Sequence, residues 1–188
     1  SGPMVQIASY WNEKSPLNVT VFSNCEEVAL YVNDKSIAKQ KPNKNEFSND
    51  LPHPPFIFQI ATFESGTLRA EGYINNKKLT EHDVQTATQA SKIELSYDTS
   101  TVAMNPEHPD VVFVYAKITD TNGNLVVDAI NEVKFSLEGS DAELIGQNPF
   151  PAEAGIATIL LRTNTFKKPI IIKAQAKGLT EAKLELKP

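Results

Sequence analysis

Three histidines, one cysteine and twenty-three carboxylates are the residues of this chain that could bind a metal or move a proton. Their spacing argues against most of the sites they could build. His53, His82 and His108 stand far apart, no two fall as a ligand pair on one element, and no H-E-x-x-H run occurs. His82 and Asp83 are neighbours that could orient one another, but adjacent strand residues point to opposite faces. Cys25 is alone, which excludes an internal disulfide and a thiolate zinc site. In SNCEE it has no cation beside it to stabilise a thiolate, so it reads as an inert thiol. The stretch Asp120 to Asn124 (DTNGN) resembles the start of a calcium loop. Such a loop needs Gly at position six and Glu at position twelve. Counting from Asp120, Gly123 falls at position four and Asn131 at twelve, so the stretch is expected to be a hairpin turn. No G-x-S-x-G elbow, P-loop or dinucleotide fingerprint is present. Glycoside hydrolysis needs two carboxyl groups flanking a sugar in a cleft, about 5–5.5 Å apart for retention. The acidic residues here fall mostly at strand ends and turns, where charge is solvated. The expectation is therefore no catalytic residue, no metal and no cofactor.

Binding is a different matter. Tyr10 and Trp11 place the only tryptophan beside a tyrosine. Side by side, they could offer a flat platform to the CH face of a sugar ring. The competing reading has Trp11 packed against its own domain edge or a neighbouring domain of a longer protein, and that reading is preferred. Asn18-Val19-Thr20 matches the glycosylation sequon but sits within a strand pattern, and is discounted.

These residues must be held by strands. Alternation at period two dominates, broken by turn residues at short intervals. In LNVTVFS, Leu17, Val19 and Val21 face one way and Asn18, Thr20 and Phe22 the other. Val28, Leu30 and Val32 share a face in EVALYVN, and PFIFQIAT, TLRAEGYIN and KKLTEHDVQTAT continue the pattern. Turns are expected at Ser23-Asn24, Asn33-Asp34, Ser65-Gly66 and Asn75-Asn76, where Asn and Gly tolerate positive φ. A second set runs KIELSYD, VVFVYAKITD, EVKFSLEG, ATILLRT, PIIIKAQAKG and AKLELKP, with turns at Thr121-Asn122-Gly123, Gly139-Ser140 and Lys177-Gly178. No helix of three turns is expected. About seven short strands in each half is the signature of a β-sandwich. The predicted fold is all-β, two tandem immunoglobulin-like β-sandwich domains, at residues 4–90 and 91–188, with Ser1-Gly2-Pro3 read as a cloning remnant.

The chain has 188 residues, 40% of them hydrophobic and 22% charged, which suits two small globular domains. Lys and Arg number 8 against 10 Asp and Glu before residue 91, and 10 against 13 after it. Neither half has the clustered positive charge that nucleic acid demands. Lys39, Lys41 and Lys44 form a small basic patch read as a solvated strand end or loop. No apolar run is long enough for a membrane span.

The run VFSNCEEVALYVNDKSIAKQ resembles a C-terminal β-sandwich domain of bacterial glycoside hydrolase family 2 enzymes, the β-galactosidase and β-glucuronidase group. Val21, Ser23, Asn24, Val28, Leu30, Asn33 and Lys35 carry the pattern, and Tyr10-Trp11-Asn12 matches its lead-in. Pro55-Phe56, then Gly66, Leu68, Ala70, Gly72 and Tyr73, match later strands. KIELSYD, VVFVYAKITDTNGN and VKFSLEGSDAELIG resemble the terminal Ig-like domain of the same enzymes. Asp34 and Ala38 replace glycines of the pattern, and NPEHPD (105–110) replaces a compact turn. The resemblance implies a non-catalytic accessory region that packs on or beside a (β/α)₈ barrel. The catalytic glutamates of the family lie in that barrel, which takes about 250 residues, so none is carried over. Its implied partner is the upstream catalytic domain, with carbohydrate as a further candidate ligand, and its implied location is periplasmic or extracellular. Two other readings stand beside it: a carbohydrate-binding module and a cell-surface Ig-like adhesion tandem.

Overall fold

The computed structural model describes residues 2–98, 104–139 and 141–188. Ser1 and the Ser140 half of the expected Gly139-Ser140 turn lie outside them. Among the described residues there are strands and turns but no helix. The chain divides into two compact units, Ser1–Thr86 and Ala87–Pro188.

Seven strands build the first unit: β1 (Val5–Ile7), β2 (Asn18–Ser23), β3 (Glu27–Val32), β4 (Lys35–Gln40), β5 (Phe56–Gln59), β6 (Thr67–Ile74) and β7 (Lys77–Gln85). They form two antiparallel sheets, ordered β1-β2-β5 and β4-β3-β6-β7. Alternation decides which side chains meet. Val19 and Val21 of β2 and Phe56 and Phe58 of β5 turn inward from one sheet; Val28, Leu30, Val32, Leu68 and Ala70 turn inward from the other. The two hairpins of the four-stranded sheet close on Asn33-Asp34 (φ 48° and 63°) and Asn75-Asn76 (φ 50° and 62°). Two successive left-handed residues match the right-handed twist of the flanking strands.

The second unit has β8 (Lys92–Tyr97), β9 (Asp110–Thr119), β10 (Glu132–Glu138), β11 (Ala142–Ile145), β12 (Phe150–Pro151), β13 (Ile156–Thr163), β14 (Ile170–Gln175) and β15 (Ala182–Leu186). The sheets are β11-β13-β9-β8 and β12-β10-β14-β15. Val112, Val114, Ala116 and Ile118 of β9 and Ala157, Ile159 and Leu161 of β13 meet Val133, Phe135, Ile170 and Ile172 of the facing sheet.

The division falls four residues before the expected one, and the reason is local. The backbone N–H and hydroxyl of Thr88 donate to the Asp120 carboxylate at 3.0 and 3.2 Å. The N–H of Ser91 donates to the Thr119 carbonyl at 2.9 Å, and the N–H of Thr180 to the Ser91 carbonyl at 2.9 Å. Residues 87–90, expected to close the first domain, lead into the second and are pinned to its DTNGN turn.

Candidate functional site

Trp11 lies in the core of the first unit with 1% of its surface exposed. Its indole N–H donates to the Glu64 carbonyl at 2.9 Å, and its ring meets Phe63 at a centroid distance of 5.0 Å, tilted by 55°. Tyr10 is half exposed. The pair therefore does not form the shared flat platform considered for a sugar. One side chain goes inward and the other stays in water. Trp11 packs within its own domain.

The other candidates resolve into structural roles. Cys25 is buried beneath Gly72, where a Cβ would stand 2.6 Å from its sulfur. His82 accepts a hydrogen bond from the Ile7 N–H at 3.3 Å, fastening β1 across to β7. Its neighbour Asp83 lies opposite Arg69 in the sheet while His82 lies opposite Ala70. Lys39 is part of β4, ion-paired with Glu27 at 2.8 Å and 4.2 Å above the Tyr73 ring. DTNGN is the turn it was expected to be. Asp120 is fully buried and accepts from the N–H groups of Thr88, Asn122 and Asn124 and from the Asn124 amide, all at 2.9–3.1 Å. Burial alone would raise its pKa, but these donors outweigh burial and hold it far below the usual carboxylate range.

Glu71 behaves the same way. Burial pushes its carboxyl up, while the Lys78 ammonium at 2.8 Å and the Tyr73 hydroxyl at 2.6 Å pull it down by a larger amount. A glycosidase acid must instead keep its proton, with its pKa raised. Both buried carboxyl groups are thus tuned against that role. Among the described residues no three His, Cys, Asp or Glu side chains gather as metal ligands. Among the described residues, too, no helix is long and apolar enough to cross a membrane.

Two surfaces remain. An open groove of about 700 Å³ on the first unit is lined by Lys41, Lys44, His53, Glu26, Asn75 and Asn76 among others, with no Phe, Tyr or Trp. Its wall is fixed by Asn43, whose side-chain oxygen accepts from the Ile57 N–H at 2.7 Å and whose own N–H donates to the Pro55 carbonyl at 2.9 Å. The second surface is the outward face of the β11-β13-β9-β8 sheet, where Val111, Phe113 and Ile145 are exposed. Phe113 and Tyr115 lie 6.2 Å apart there, with ring planes within 21° of parallel. Neither ring was singled out from the sequence. The signal was VVFVYA, a continuous apolar run in a strand whose outer face meets water. Antiparallel strands of that kind ordinarily alternate.

Comparison with known proteins bears on both units. Residues 93–185 match the family described as glycoside hydrolase family 2 C-terminal domain 5, and residues 14–81 match a Domain of unknown function (DUF4982). The chain is 33% identical over 193 residues to a beta-galactosidase of Thermoanaerobacter pseudethanolicus, an alignment covering 96% of this chain and 25% of that protein. It is 25% identical over 197 residues to a beta-glucuronidase of Formosa agariphila, covering 98% of this chain and 19% of that protein. A solved beta-glycosidase from Bacteroides vulgatus shares the fold, with a TM-score of 0.81 at 22% identity over 100% of this chain and 25% of that one. The chain spans a quarter or less of the length of these relatives. Two sandwiches in series, the second carrying the domain-5 pattern and both aligning with one stretch of a beta-galactosidase, are similar to the C-terminal domains of glycoside hydrolase family 2 enzymes.

Proposed function

We propose that this chain is a non-catalytic accessory region of a family 2 glycosidase, packing on or beside the catalytic barrel of the same protein, and that the whole protein cleaves terminal β-galactosides. The observation that carries this is the alignment of 96% of the chain with a quarter of a beta-galactosidase at 33% identity. The beta-glucuronidase relative is more distant at 25%, which favours the galactoside. The chemistry of the described residues supports an accessory role. A (β/α)₈ barrel takes about 250 residues of alternating strand and helix, whereas the described residues form strands only. The buried carboxyl groups Glu71 and Asp120 are held ionised by lysine, hydroxyl and amide donors and have no proton to give at neutral pH. A periplasmic or extracellular location belongs to the same proposal.

The test is a turnover assay on the 188-residue chain with nitrophenyl β-galactoside and β-glucuronide, beside the longer protein that contains it. The longer protein is expected to hydrolyse the galactoside faster than the glucuronide, and the chain alone to hydrolyse neither. Turnover that copurifies with the isolated chain and scales with its concentration overturns the accessory role. Preference of the longer protein for glucuronide overturns the substrate.

A further inference from the structure

The register of the β11-β13-β9-β8 sheet places its outward side chains in rows across the strands. Ile145 lies opposite Leu160, and Leu160 opposite Phe113, giving an apolar row three strands wide. The next row reads Thr158, Tyr115 and Ser96, three hydroxyl groups side by side. Outside these stand Glu143, Arg162 and Val111 on one side, and Ile156, Lys117 and Glu94 on the other. The inward partners of the same strands, Val112, Val114, Ala157 and Ile159, are buried in the core, so the outward rows are rigidly mounted. Phe113 is 49% exposed and nearly parallel to the Tyr115 ring.

An apolar row beside a hydroxyl row is an amphipathic surface, and few ligands match it. A protein partner of the obligate kind brings a contiguous apolar patch and wants the polar groups at the rim. A phosphate or nucleic-acid partner wants a field of one sign. Here Arg162 pairs with Glu143 and Lys92 with Glu94, and Lys117 stands across from Glu94, so charges of both signs offset one another. A sugar ring has the complementary build: a CH face that lies on aromatic and aliphatic groups, and an edge of hydroxyls that exchange hydrogen bonds with side-chain hydroxyls. Two inter-strand gaps span about 10 Å, the reach of a short oligosaccharide.

We propose that this sheet face binds a neutral oligosaccharide, with Phe113 and Tyr115 as the stacking pair and Thr158 and Ser96 as hydrogen-bonding neighbours. The site goes beyond the accessory role above and is independent of which glycoside the longer protein cleaves. It also differs from the Tyr10–Trp11 pair, since it lies in the other domain.

Calorimetric titration of the 188-residue chain with galacto- and gluco-oligosaccharides tests it, with nuclear magnetic resonance reporting which side chains shift. Saturable binding is expected, with shifts confined to β8, β9, β11 and β13. Phe113→Ala should weaken binding about tenfold or more and leave the melting temperature within a few degrees, because the ring faces outward. Phe113→Leu keeps apolar bulk but removes the ring face and should weaken binding by a similar factor without endangering the fold. Trp11→Phe should leave affinity unchanged. Failure of every oligosaccharide to bind overturns the proposal, as does affinity unchanged in Phe113→Leu and Tyr115→Ala. Self-association of the chain that Phe113→Leu abolishes, with no sugar binding, also overturns it and assigns the face to a protein contact. None of these outcomes touches the turnover assay, so the two proposals fail separately.

Discussion

Single residues show how far local pattern reaches. Trp11 is buried, and its anchor does not follow from the sequence. The indole donates to the carbonyl of Glu64, a residue in a loop with no sequence pattern linking the two. Trp11→Ala should cost about 3–5 kcal/mol of stability, and Trp11→Phe about 1 kcal/mol for the lost hydrogen bond, both read by urea unfolding of the first unit. Asp120 is the sharper case. Its place at the head of a turn was legible in DTNGN, but its burial was not, because one of its donors is Thr88, thirty-two positions earlier. A carboxyl held below its ordinary value contributes stability that is complete above that value and fades as pH falls toward the lower one. Asp120→Asn should therefore lose about 1.5–3 kcal/mol at neutral pH. Its deficit against wild type should shrink as pH falls below the ordinary carboxylate value of about 4, where the unfolded chain takes up a proton that the folded carboxyl still resists. Denaturant titrations of the second unit at several pH values measure this.

Among elements, legibility followed the contrast between faces. Strands β2, β3, β5 and β6 carry apolar side chains at alternate positions and were readable directly. Strand β4, KSIAKQ, was not: it has no buried position, since it forms the edge of its sheet beyond β3. Strands β1 and β12, of three and two residues, are too short to show a period. The turns were read correctly from Asn pairs, and their cost is now visible. Asn76 holds φ at 62°, which a side chain with a Cβ adopts against steric resistance. Asn76→Gly should stabilise the β6–β7 hairpin by about 0.5–1 kcal/mol, seen as a higher unfolding midpoint. The same change at Asp34 should gain less, because Asp34 also accepts a hydrogen bond from Arg69 at 2.7 Å.

At the scale of the whole molecule, nothing in the pattern of ATQA marks residues 87–90 as leading into the second unit. Contacts supply what pattern lacked: Thr88 provides two of the donors that satisfy a buried charge. A fragment of residues 87–188 should therefore be more stable than one of residues 91–188, by about 1.5–3 kcal/mol for hydrogen bonds to an ionised group. Circular dichroism during urea unfolding of the two fragments tests it. Equal midpoints would mean that Asp120 finds water in place of Thr88 at no cost. The family resemblance covered nearly the whole chain because strand order and turn chemistry recur together. It includes Phe113 and Tyr115 in VVFVYAKITDTNGN, but not the rows they form with Leu160 and Thr158, which are a matter of cross-strand register.

The Asp120 turn also bears on how the protein ages. Asn122 is followed by Gly123, the pairing most prone to spontaneous loss of the side-chain amide, in which the next backbone nitrogen attacks the amide carbon. Here the Gly123 N–H donates to the Asp120 carbonyl at 3.2 Å and the Asn122 N–H to its carboxylate at 2.9 Å, so the attacking nitrogen is turned away. Native protein kept for weeks should retain Asn122 by peptide mass mapping. Asp120→Asn, kept at neutral or mildly alkaline pH where the Gly123 nitrogen can lose its proton, should release the turn and let deamidation begin there.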